Sequence, residues 1–232
     1  MTGMVAGGVQ LPDSEWILPD PMLANSDTDL VGIGADLQPS TVLQGYATGL
    51  FPMHLSSDDS EYVAPLGWWS PNPRGVLPLN GMRVTKSLRK SSNRFTVTWD
   101  THFTDVMFAC QRAEEDGQWI TEEFISTYSE LHKRGFAHSV EVWNASGDLV
   151  GGLYGIELGG LFAGESMFHH ERDASKVALL YLVEKLQSCP GDRLLDVQWS
   201  TDHLASLGVI EISRGEYIKN LRHVLVTMPC LS

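Results

Sequence analysis

Residues 138–168 read HSVEVWNASGDLVGGLYGIELGGLFAGESMF. Three runs rich in β-branched, leucine and aromatic residues lie at 138–143, 149–157 and 161–168. The residues between these runs, Asn144–Asp148 and Gly159–Gly160, have the composition of tight turns. Because such turns join antiparallel strands, the stretch predicts a three-stranded meander. A sheet built from consecutive hairpins is therefore expected at the centre of the fold.

Helix and strand patterns continue on both sides of the meander. After it, the sequence predicts a helix, a strand, a short helix, a strand and a helix, at 173–188, 194–199, 202–208, 209–212 and 216–224. Before it, the sequence predicts a helix at 39–49, a basic helix at 82–93, a strand at 95–99 and helices at 102–115 and 121–134. Thr121, Asp173 and Asp202 are the expected helix caps. This order indicates an α+β fold with a mixed sheet, not a doubly wound parallel sheet.

The chain is long enough for more than one core. It has 232 residues, 43% of them hydrophobic, which suffices for a large domain with a smaller one beside it. Prolines and glycines cluster between Pro65 and Gly81, as they do at domain boundaries. We therefore expect a small N-terminal domain over 1–80 and a larger domain over 81–232.

The charge of the chain is unevenly distributed. Sixteen Lys+Arg against 29 Asp+Glu give a net charge of −13, which normally argues against a polyanion partner. Residues 62–99, however, contain no acidic residue and six basic ones, Arg74, Arg83, Lys86, Arg89, Lys90 and Arg94. Arg83, Lys86 and Lys90 would share one helix face and could neutralise several phosphates. A solvated helix surface is the ordinary alternative, and the segment alone indicates only a polyanion.

Several classes of site and location are disfavoured. Cys110, Cys189 and Cys230 lie far apart with no zinc-type spacing, which argues against a disulfide framework or a metal and for a reducing compartment. No signal peptide or membrane-length apolar run is present, so we expect a cytoplasmic protein without membrane association. The chain contains no GxSxG, P-loop or HExxH motif, and Val31–Gly34 lacks the third glycine of a dinucleotide fingerprint. With no obvious covalent nucleophile or nucleotide site, an enzyme with this sequence is expected to receive a substrate that is already activated.

A carboxylate and an amide stand close together in the predicted strand 194–199. Alternation along a strand puts Asp196 and Gln198 on one face and Leu195, Val197 and Trp199 on the other. Such a pair can handle a proton during catalysis. It can equally well satisfy backbone groups at the end of a strand.

A second carboxylate ends the meander. Glu165 and Met167 are predicted to share a face of the third strand. In the helix that follows, leucines at helical spacing form the stripe Leu179, Leu182 and Leu186. A stripe of this kind is usually core. Together with Phe162 and Met167 it could instead leave a cavity for an apolar side chain.

Many short motifs of the chain resemble those of the leucyl/phenylalanyl-tRNA–protein transferase family. They are GADL at 34–37, GLFP at 49–52, WWSPNPR at 68–74, SLRK at 87–90, WIT at 119–121, LH at 131–132, HSVEVW at 138–143, LVGGLYG at 149–155, GESMF at 164–168, ASK at 174–176, DVQ at 196–198 and HLASLG at 203–208. No single motif is decisive, but all of them keep the order of the family over about residues 30–222.

The resemblance implies a fold and an activity. The fold would be a small N-terminal α/β domain followed by a domain of the acetyltransferase-like (GNAT) type. The activity would be transfer of Leu or Phe, and less well Met, from charged tRNA to the N-terminal Arg or Lys of a protein, which marks the acceptor for degradation by the N-end rule pathway. An aminoacyl ester is already activated, so the family needs no cofactor, metal or enzyme nucleophile. We also expect a monomer.

The resemblance also implies roles for residues of this chain. Asp196 and Gln198 would form the proton relay, and Glu165 would orient the acceptor amine. The donor side chain would enter a pocket formed by Leu153, Phe162, Met167, Leu179, Leu182 and Leu186. The tRNA 3′ end would meet Met53, Trp119, Tyr46 and Tyr128, and the RNA backbone would meet Arg83, Lys86, Arg89, Lys90 and Arg94. The family usually has Trp where this chain has Met53, which predicts weaker stacking on the terminal adenosine.

Other functions stay open at this point. An acyl-CoA-dependent N-acetyltransferase is expected to have a glycine-containing Gln/Arg-x-x-Gly-x-Gly/Ala loop, and residues 170–175, HERDAS, lack those glycines. Peptidoglycan-type tRNA-dependent ligases would be longer, with two such domains. If the protein bound tRNA without catalysing a reaction, the substitution Asp196→Ala would leave the cellular phenotype unchanged. A globular protein without a nucleic-acid partner fits the acid-free segment poorly.

Overall fold

The computed structural model describes residues 4–55, 64–111 and 120–231. In chain order its strands and α-helices are β1 (Val5–Ala6), β2 (Val9–Gln10), β3 (Leu30–Ile33), α1 (Pro39–Thr48), β4 (Phe51–His54), β5 (Leu66–Trp69), β6 (Arg74–Val76), α2 (Lys86–Ser92), β7 (Thr96–Trp99), α3 (Phe103–Cys110), α4 (Glu122–Lys133), β8 (Ala137–Trp143), β9 (Leu149–Leu158), β10 (Leu161–His169), α5 (Ala174–Ser188), β11 (Leu194–Gln198), α6 (Asp202–Leu207), β12 (Ile210–Ile212) and α7 (Arg214–Val224).

A seven-stranded mixed sheet forms the centre of the molecule. Its strand order is β12-β6-β11-β10-β9-β8-β7. Strands β8, β9 and β10 pair antiparallel in sequence, so the predicted meander is confirmed. Strand β11 pairs parallel with β10, which makes the sheet mixed and confirms the α+β class. The acetyltransferase-like arrangement remains a prediction of the resemblance.

The N-terminal unit, residues 30–69, carries a second, smaller sheet and shares one apolar cluster with the rest of the chain. Strands β3, β5 and β4 form a three-stranded antiparallel sheet, and α1 packs next to β4. The large sheet already includes β6, which lies between β12 and β11. The chain therefore enters the large sheet at Arg74, ahead of residue 80.

The two faces of the large sheet carry two separate apolar clusters. One cluster contains residues of α3, α4, α1 and α7, together with Tyr154 and Ile156 of β9. The other contains the buried face of α5, together with Leu153 of β9 and Leu195 of β11. Successive residues of β9 point to opposite faces, as strand geometry requires.

Strands β10 and β11 separate partway along their length. Their parallel register joins Leu161, Phe162 and Ala163 to Leu194, Leu195 and Asp196, and is not continued beyond these pairs. Because the pairing stops there, Glu165 and Gln198 lie at the point where the two strands part. An opening in the middle of a sheet gives a substrate access to residues that would otherwise be enclosed.

Some helix starts and caps differ from those expected. Helix α2 begins at Lys86, because Thr85 caps it by accepting a hydrogen bond from the Leu88 backbone N–H at 3.1 Å. Arg83 is therefore outside the helix, and its expected position on one helix face with Lys86 and Lys90 was wrong. Thr201, and not Asp202, caps α6.

Asp173 precedes α5 as expected, but its side chain does not cap the helix. Its φ is +70°, and its carboxylate accepts a hydrogen bond from Ser91 Oγ at 2.9 Å.

The predicted helix 102–115 is observed as α3 up to Cys110, and its end lies outside the described residues.

The expectation that the cysteines form no disulfide was wrong. Cys189 follows α5, and its sulfur is bonded to that of Cys230 near the end of the chain. The tail reaches this place because the backbone N–H groups of Cys230 and Leu231 donate to the buried Glu157 carboxylate, at 2.7 and 2.9 Å. Spacing along the chain could not indicate a pairing that depends on this return of the tail.

Among the described residues, no helix combines the length and apolar character needed to cross a membrane.

Candidate active site

Glu165 lies in an irregularity of its strand. In the pairing of β10 with β9, Gly164 faces Gly155 and Ser166 faces Tyr154, so Glu165 is the extra residue of a β-bulge. A bulge re-aims the side chain that it carries, and bulges are common next to active sites. This one directs the half-buried Glu165 carboxylate into the opening between β10 and β11.

The Glu165 carboxylate is held by two donors on opposite sides. Its Oε1 accepts a hydrogen bond from Gln198 Nε2 at 3.2 Å, and its Oε2 accepts one from the Tyr128 hydroxyl at 3.3 Å. The Tyr128 hydroxyl lies 2.6 Å from the Tyr46 hydroxyl. Both tyrosines are buried. The chain Tyr46–Tyr128–Glu165–Gln198 therefore runs from the N-terminal unit to the end of β11.

The environment of Glu165 favours its protonated form. Burial raises the pKa of this carboxyl to about 8, and the charge of Asp196 adds to the increase. Hydrogen bonds from Tyr46 and Tyr128 and the charge of Arg74 act in the opposite direction without cancelling the effect. A carboxyl with a pKa this close to neutral pH can both take up and release a proton near neutrality.

Gln198 reaches Glu165 because its backbone is unusual. Its φ is +59°, in the left-handed region, and the pairing of β11 with β6 is irregular between Asp196 and Gln198. As a result Gln198 lines the same cavity as Val197, and Trp199 packs against Phe51 instead. The strict alternation predicted for 194–199 was therefore wrong beyond Val197. Backbone strain of this kind is frequently found at functional sites.

Asp196 is completely enclosed by donors. Its Oδ1 accepts from Arg74 Nε at 2.8 Å and from the Gln198 backbone N–H at 3.0 Å. Its Oδ2 accepts from Arg74 Nη2 at 2.6 Å and from the Tyr217 hydroxyl at 3.0 Å. Asp196 and Arg74 are 0% and 1% exposed, so this is a buried two-pronged ion pair. The bond to the Gln198 backbone connects the pair to the strained residue.

Arg74 was counted among the basic residues of the acid-free segment, but it is not at the surface. Its guanidinium lies between the rings of Phe51 and Tyr217, 4.9 and 4.4 Å from their centroids. Burial is the largest single effect and acts against its charge, but the attraction and hydrogen bond of Asp196, together with Tyr217 and Tyr46, outweigh burial and raise the Arg74 pKa. Sequence reasoning missed both Arg74 and Tyr217 as partners of Asp196. The signal available in the sequence was an arginine directly before the apolar residues 75–77.

An apolar cavity of about 110 Å³ lies beside Glu165. Four of the six residues expected in the donor pocket line it, namely Leu153, Met167, Leu179 and Leu182. Leu195, Val197 and Leu204 complete its apolar wall, and Glu165 and Gln198 form its polar side. Phe162 and Leu186, 1% and 2% exposed, belong to the packed core and do not line it. The cavity is of the scale that holds a small hydrocarbon, since a cavity of about 150 Å³ lined by such residues binds benzene.

Two of the residues expected at the tRNA 3′ end, Tyr46 and Tyr128, lie next to Glu165. Both are buried, and their hydroxyls are hydrogen-bonded to each other and to the carboxylate. Met53 is half-buried on β4, and its carbonyl accepts from Trp69 Nε1 at 2.9 Å. Trp119 lies outside the described residues.

The five basic residues expected to meet the RNA backbone are all exposed: Arg83, Lys86, Arg89, Lys90 and Arg94. Arg89 faces Glu184 at 3.5 Å. The other charged groups of this set are not in ion pairs shorter than 4 Å with described residues. Within the described ranges, no group of His, Cys, Asp and Glu side chains is arranged to hold a metal ion.

Comparisons with known proteins match this chain over nearly its whole length. The family model described as leucyl/phenylalanyl-tRNA protein transferase matches residues 76–222, and the one for its N-terminal domain matches residues 35–72. A leucyl/phenylalanyl-tRNA–protein transferase of Hydrogenovibrio crunogenus is 46% identical over 88% of this chain and 79% of its own. One of Pseudoalteromonas atlantica is 42% identical over 92% of this chain and 90% of its own.

Among solved structures, L-PGS from Bacillus licheniformis has a TM-score of 0.40 at 12% identity, over 66% of this chain and 57% of its own. This structural likeness is too distant to carry an argument. The family assignment rests on the extent of the family match and on the sequence identity to the two relatives. The chain belongs to the leucyl/phenylalanyl-tRNA–protein transferase family and is an aminoacyltransferase.

Proposed function

We propose that this protein transfers Leu or Phe, and less well Met, from aminoacyl-tRNA to the N-terminal Arg or Lys of an acceptor protein, forming a peptide bond and creating an N-end rule signal. One observation carries the proposal: a carboxyl with a pKa of about 8 lies at the mouth of an apolar cavity of side-chain size. The names of the relatives support leucyl- or phenylalanyl-tRNA as the donor and a protein as the acceptor, and the cavity and carboxyl offer a place for them to react.

Glu165 is the proposed proton acceptor. A protein α-amine has a pKa of about 7.7–8.0, so its protonated form and the Glu165 carboxylate exchange a proton at little cost. The neutral amine then bonds to the acyl carbon, and the bond from that carbon to the ribose oxygen breaks. Before the bond to the amine forms, Glu165 releases the first proton to solvent; its carboxylate then takes the second amine proton and passes it to the ribose oxygen as that oxygen leaves. Holding ester and amine side by side supplies most of the remaining acceleration.

Asp196 acts as a positioning residue in this proposal. All of its donors are protein groups, and none of its surface is exposed to a substrate. By holding the Gln198 backbone N–H it keeps Gln198 in the left-handed conformation, from which the side-chain amide reaches Glu165. The proton relay implied by the resemblance is thus divided between an inner positioning carboxylate and an outer reactive one.

The cavity is the proposed site of the donor side chain. Its apolar wall would exclude charged and polar side chains, because their burial without partners is costly. It would separate Leu from Met by only about 1–3 kcal/mol, the usual limit for a pocket that distinguishes apolar groups. Met167 is flexible and half-buried, so it can adjust to the longer Phe ring.

Met53 offers a test of how the 3′-terminal adenosine is held. Replacing it by Trp should tighten the binding of uncharged tRNA, because stacking of a base on an aromatic ring is worth about 1–3 kcal/mol, roughly 5- to 160-fold in Kd. Binding would be measured by fluorescence titration. Met228→Trp, at an exposed position near the chain end, is the matched control and should leave Kd unchanged. Equal affinities for Met53→Trp and the parent protein would count against a role of Met53 in stacking.

The acceptor is tested by comparing two peptides that differ only in their first residue. The protein is incubated with labelled leucyl-tRNA and a peptide that begins with Arg or with Asp. We expect label in the Arg peptide and none in the Asp peptide, since the resemblance implies a basic N-terminal residue as the acceptor and an Asp side chain would place an unpaired carboxylate beside the half-buried Glu165 carboxyl. Equal labelling of both peptides would overturn the proposed acceptor class.

A further inference from the structure

A second, cationic cavity lies next to the apolar one. It has a volume of about 600 Å³ and is lined by His169, His170, Arg172, Lys176 and His203, with Ser175 and Asp173. The expected roles of the chain do not include these residues. Five groups that carry or can gain a positive charge around one cavity stand out in a chain with a net charge of −13. Such a cavity suits an anion.

The two cavities are lined by neighbouring positions of the same three elements. On β10, Met167 lines the apolar cavity and His169 the cationic one. On α5 the corresponding residues are Leu179 and Lys176, and on α6 they are Leu204 and His203. Two residues along a strand span about 7 Å and three along a helix about 4.5 Å. The cationic cavity is therefore within about one nucleotide of the place where the acyl group is expected.

The two permanent cations of this cavity, Arg172 and Lys176, share one carboxylate. Its single carboxylate, Asp173, accepts from Ser91 Oγ at 2.9 Å and lies 3.7 Å from Lys176 Nζ and 3.8 Å from Arg172 Nε. One carboxylate against Arg172 and Lys176 leaves a net positive charge, and the three histidine rings add hydrogen-bond donors for an anion. Burial lowers the pKa of His203, and the nearby charges of Lys176 and His169 lower it further, which shows that these groups share one electrostatic environment.

We infer that the cationic cavity binds a phosphodiester of the 3′-terminal nucleotides of the donor RNA while the acyl group occupies the apolar cavity. The inference rests on the proposed function, since it takes the acyl donor to be an RNA ester. An N-terminal Arg or Lys of the acceptor would be repelled by the same charges, so the acceptor is expected to approach from another side. The contact positions the ester and reads no base, as phosphate contacts generally do.

The test uses two stable amide analogues of the donor. One is 3′-leucylamido-adenosine, which has no phosphate, and the other is the trinucleotide CCA bearing the same leucylamide. We expect the parent protein to bind the trinucleotide more tightly than leucylamido-adenosine. For the trinucleotide, the logarithm of the association constant should fall with the logarithm of the salt concentration, at a slope of about −0.7 for each phosphate contacted. In Lys176→Ala and Arg172→Ala this slope should become less steep by about 0.7, with at least a fivefold loss of trinucleotide affinity. Lys219→Ala, an exposed lysine of α7, is the matched control and should change neither.

The outcomes separate this inference from the proposed function. If Lys176→Ala binds leucylamido-adenosine as the parent does but binds the trinucleotide more weakly, the result supports both the phosphodiester site and the proposed function. If the affinity for the trinucleotide and its salt slope are the same in the parent and the variants, the phosphodiester site is overturned. The proposed function is then still supported, provided that the protein binds leucylamido-adenosine. Failure of the nucleoside analogue to bind counts against the proposed function itself. Coenzyme A is the second probe. If the parent protein binds coenzyme A and Lys176→Ala does not, the cavity is a site for a nucleotide cofactor and the inference is overturned.

Discussion

Replacing Glu165 by glutamine is expected to lower kcat/KM for transfer of leucine to an Arg peptide by about two orders of magnitude, the usual contribution of a general base. Glutamine keeps the size of the side chain and can still receive the Tyr128 hydrogen bond, but it cannot accept the amine proton. In the parent protein, kcat/KM should rise with pH and level off above about pH 8, where Glu165 and the amine have both lost their protons. Single-turnover transfer measured from pH 6 to 9 checks both expectations.

The pH dependence of stability provides an independent readout of the same residue. Because the folded-state pKa of Glu165 is about 8 and the ordinary value is 4.5, the folded protein binds more protons than the unfolded chain between these pH values. Its contribution to stability is therefore fully present below pH 4.5 and is lost as the pH rises to about 8. In Glu165→Gln this decline should disappear, while Glu171→Gln, an exposed control, should keep it. A parent-like stability profile for Glu165→Gln, or parent-like transfer rates, would contradict the role given to Glu165.

Replacing Arg74 by methionine is expected to lower the free energy of unfolding by about 3–5 kcal/mol, because it leaves the Asp196 carboxylate buried without its partner. Asp196 is 0% exposed and receives two of its four hydrogen bonds from Arg74. Urea unfolding at pH 7 measures the change. Arg222→Met, at an exposed position on α7, should alter stability by less than about 0.5 kcal/mol, as surface substitutions usually do.

Tyr217→Phe separates the packing of this region from its charge. It removes one hydrogen bond to Asp196 and keeps the ring beneath the Arg74 guanidinium, so a loss of about 1–3 kcal/mol is expected. If the loss of stability in Arg74→Met were no larger than in Tyr217→Phe, Asp196 would not depend on its ion pair, and its role as a positioning residue for Gln198 would fail.

The sequence predicts the fold wherever its pattern is local. The meander, α4 with its Thr121 cap, and α5 follow from turn residues and helical spacing within short windows. The start of α2 was missed because Thr85, a capping residue, lies inside a stretch that otherwise suits a helix. The bond between Cys189 and Cys230 depends on where the chain end returns, which no local pattern encodes.

The candidate site was predictable only in part, for a related reason. Alternation along a strand brought out Asp196, Gln198 and Glu165, but their arrangement depends on two departures from regular strands. The bulge at Glu165 and the left-handed φ of Gln198 direct both side chains into one opening, and neither residue type signals such a conformation. Arg74 is separated from Asp196 by 122 positions, so their pairing is a property of the folded sheet.

The nature of the donor is the central claim, and one assay tests it most directly. The protein is supplied with labelled leucyl-tRNA and an Arg peptide, with no ATP and no coenzyme A. The account predicts label in the peptide bond, and a rate at least tenfold lower when the donor has first been digested with ribonuclease. Turnover that survives this digestion unchanged, or that appears only when a leucyl thioester of coenzyme A is added, would contradict it.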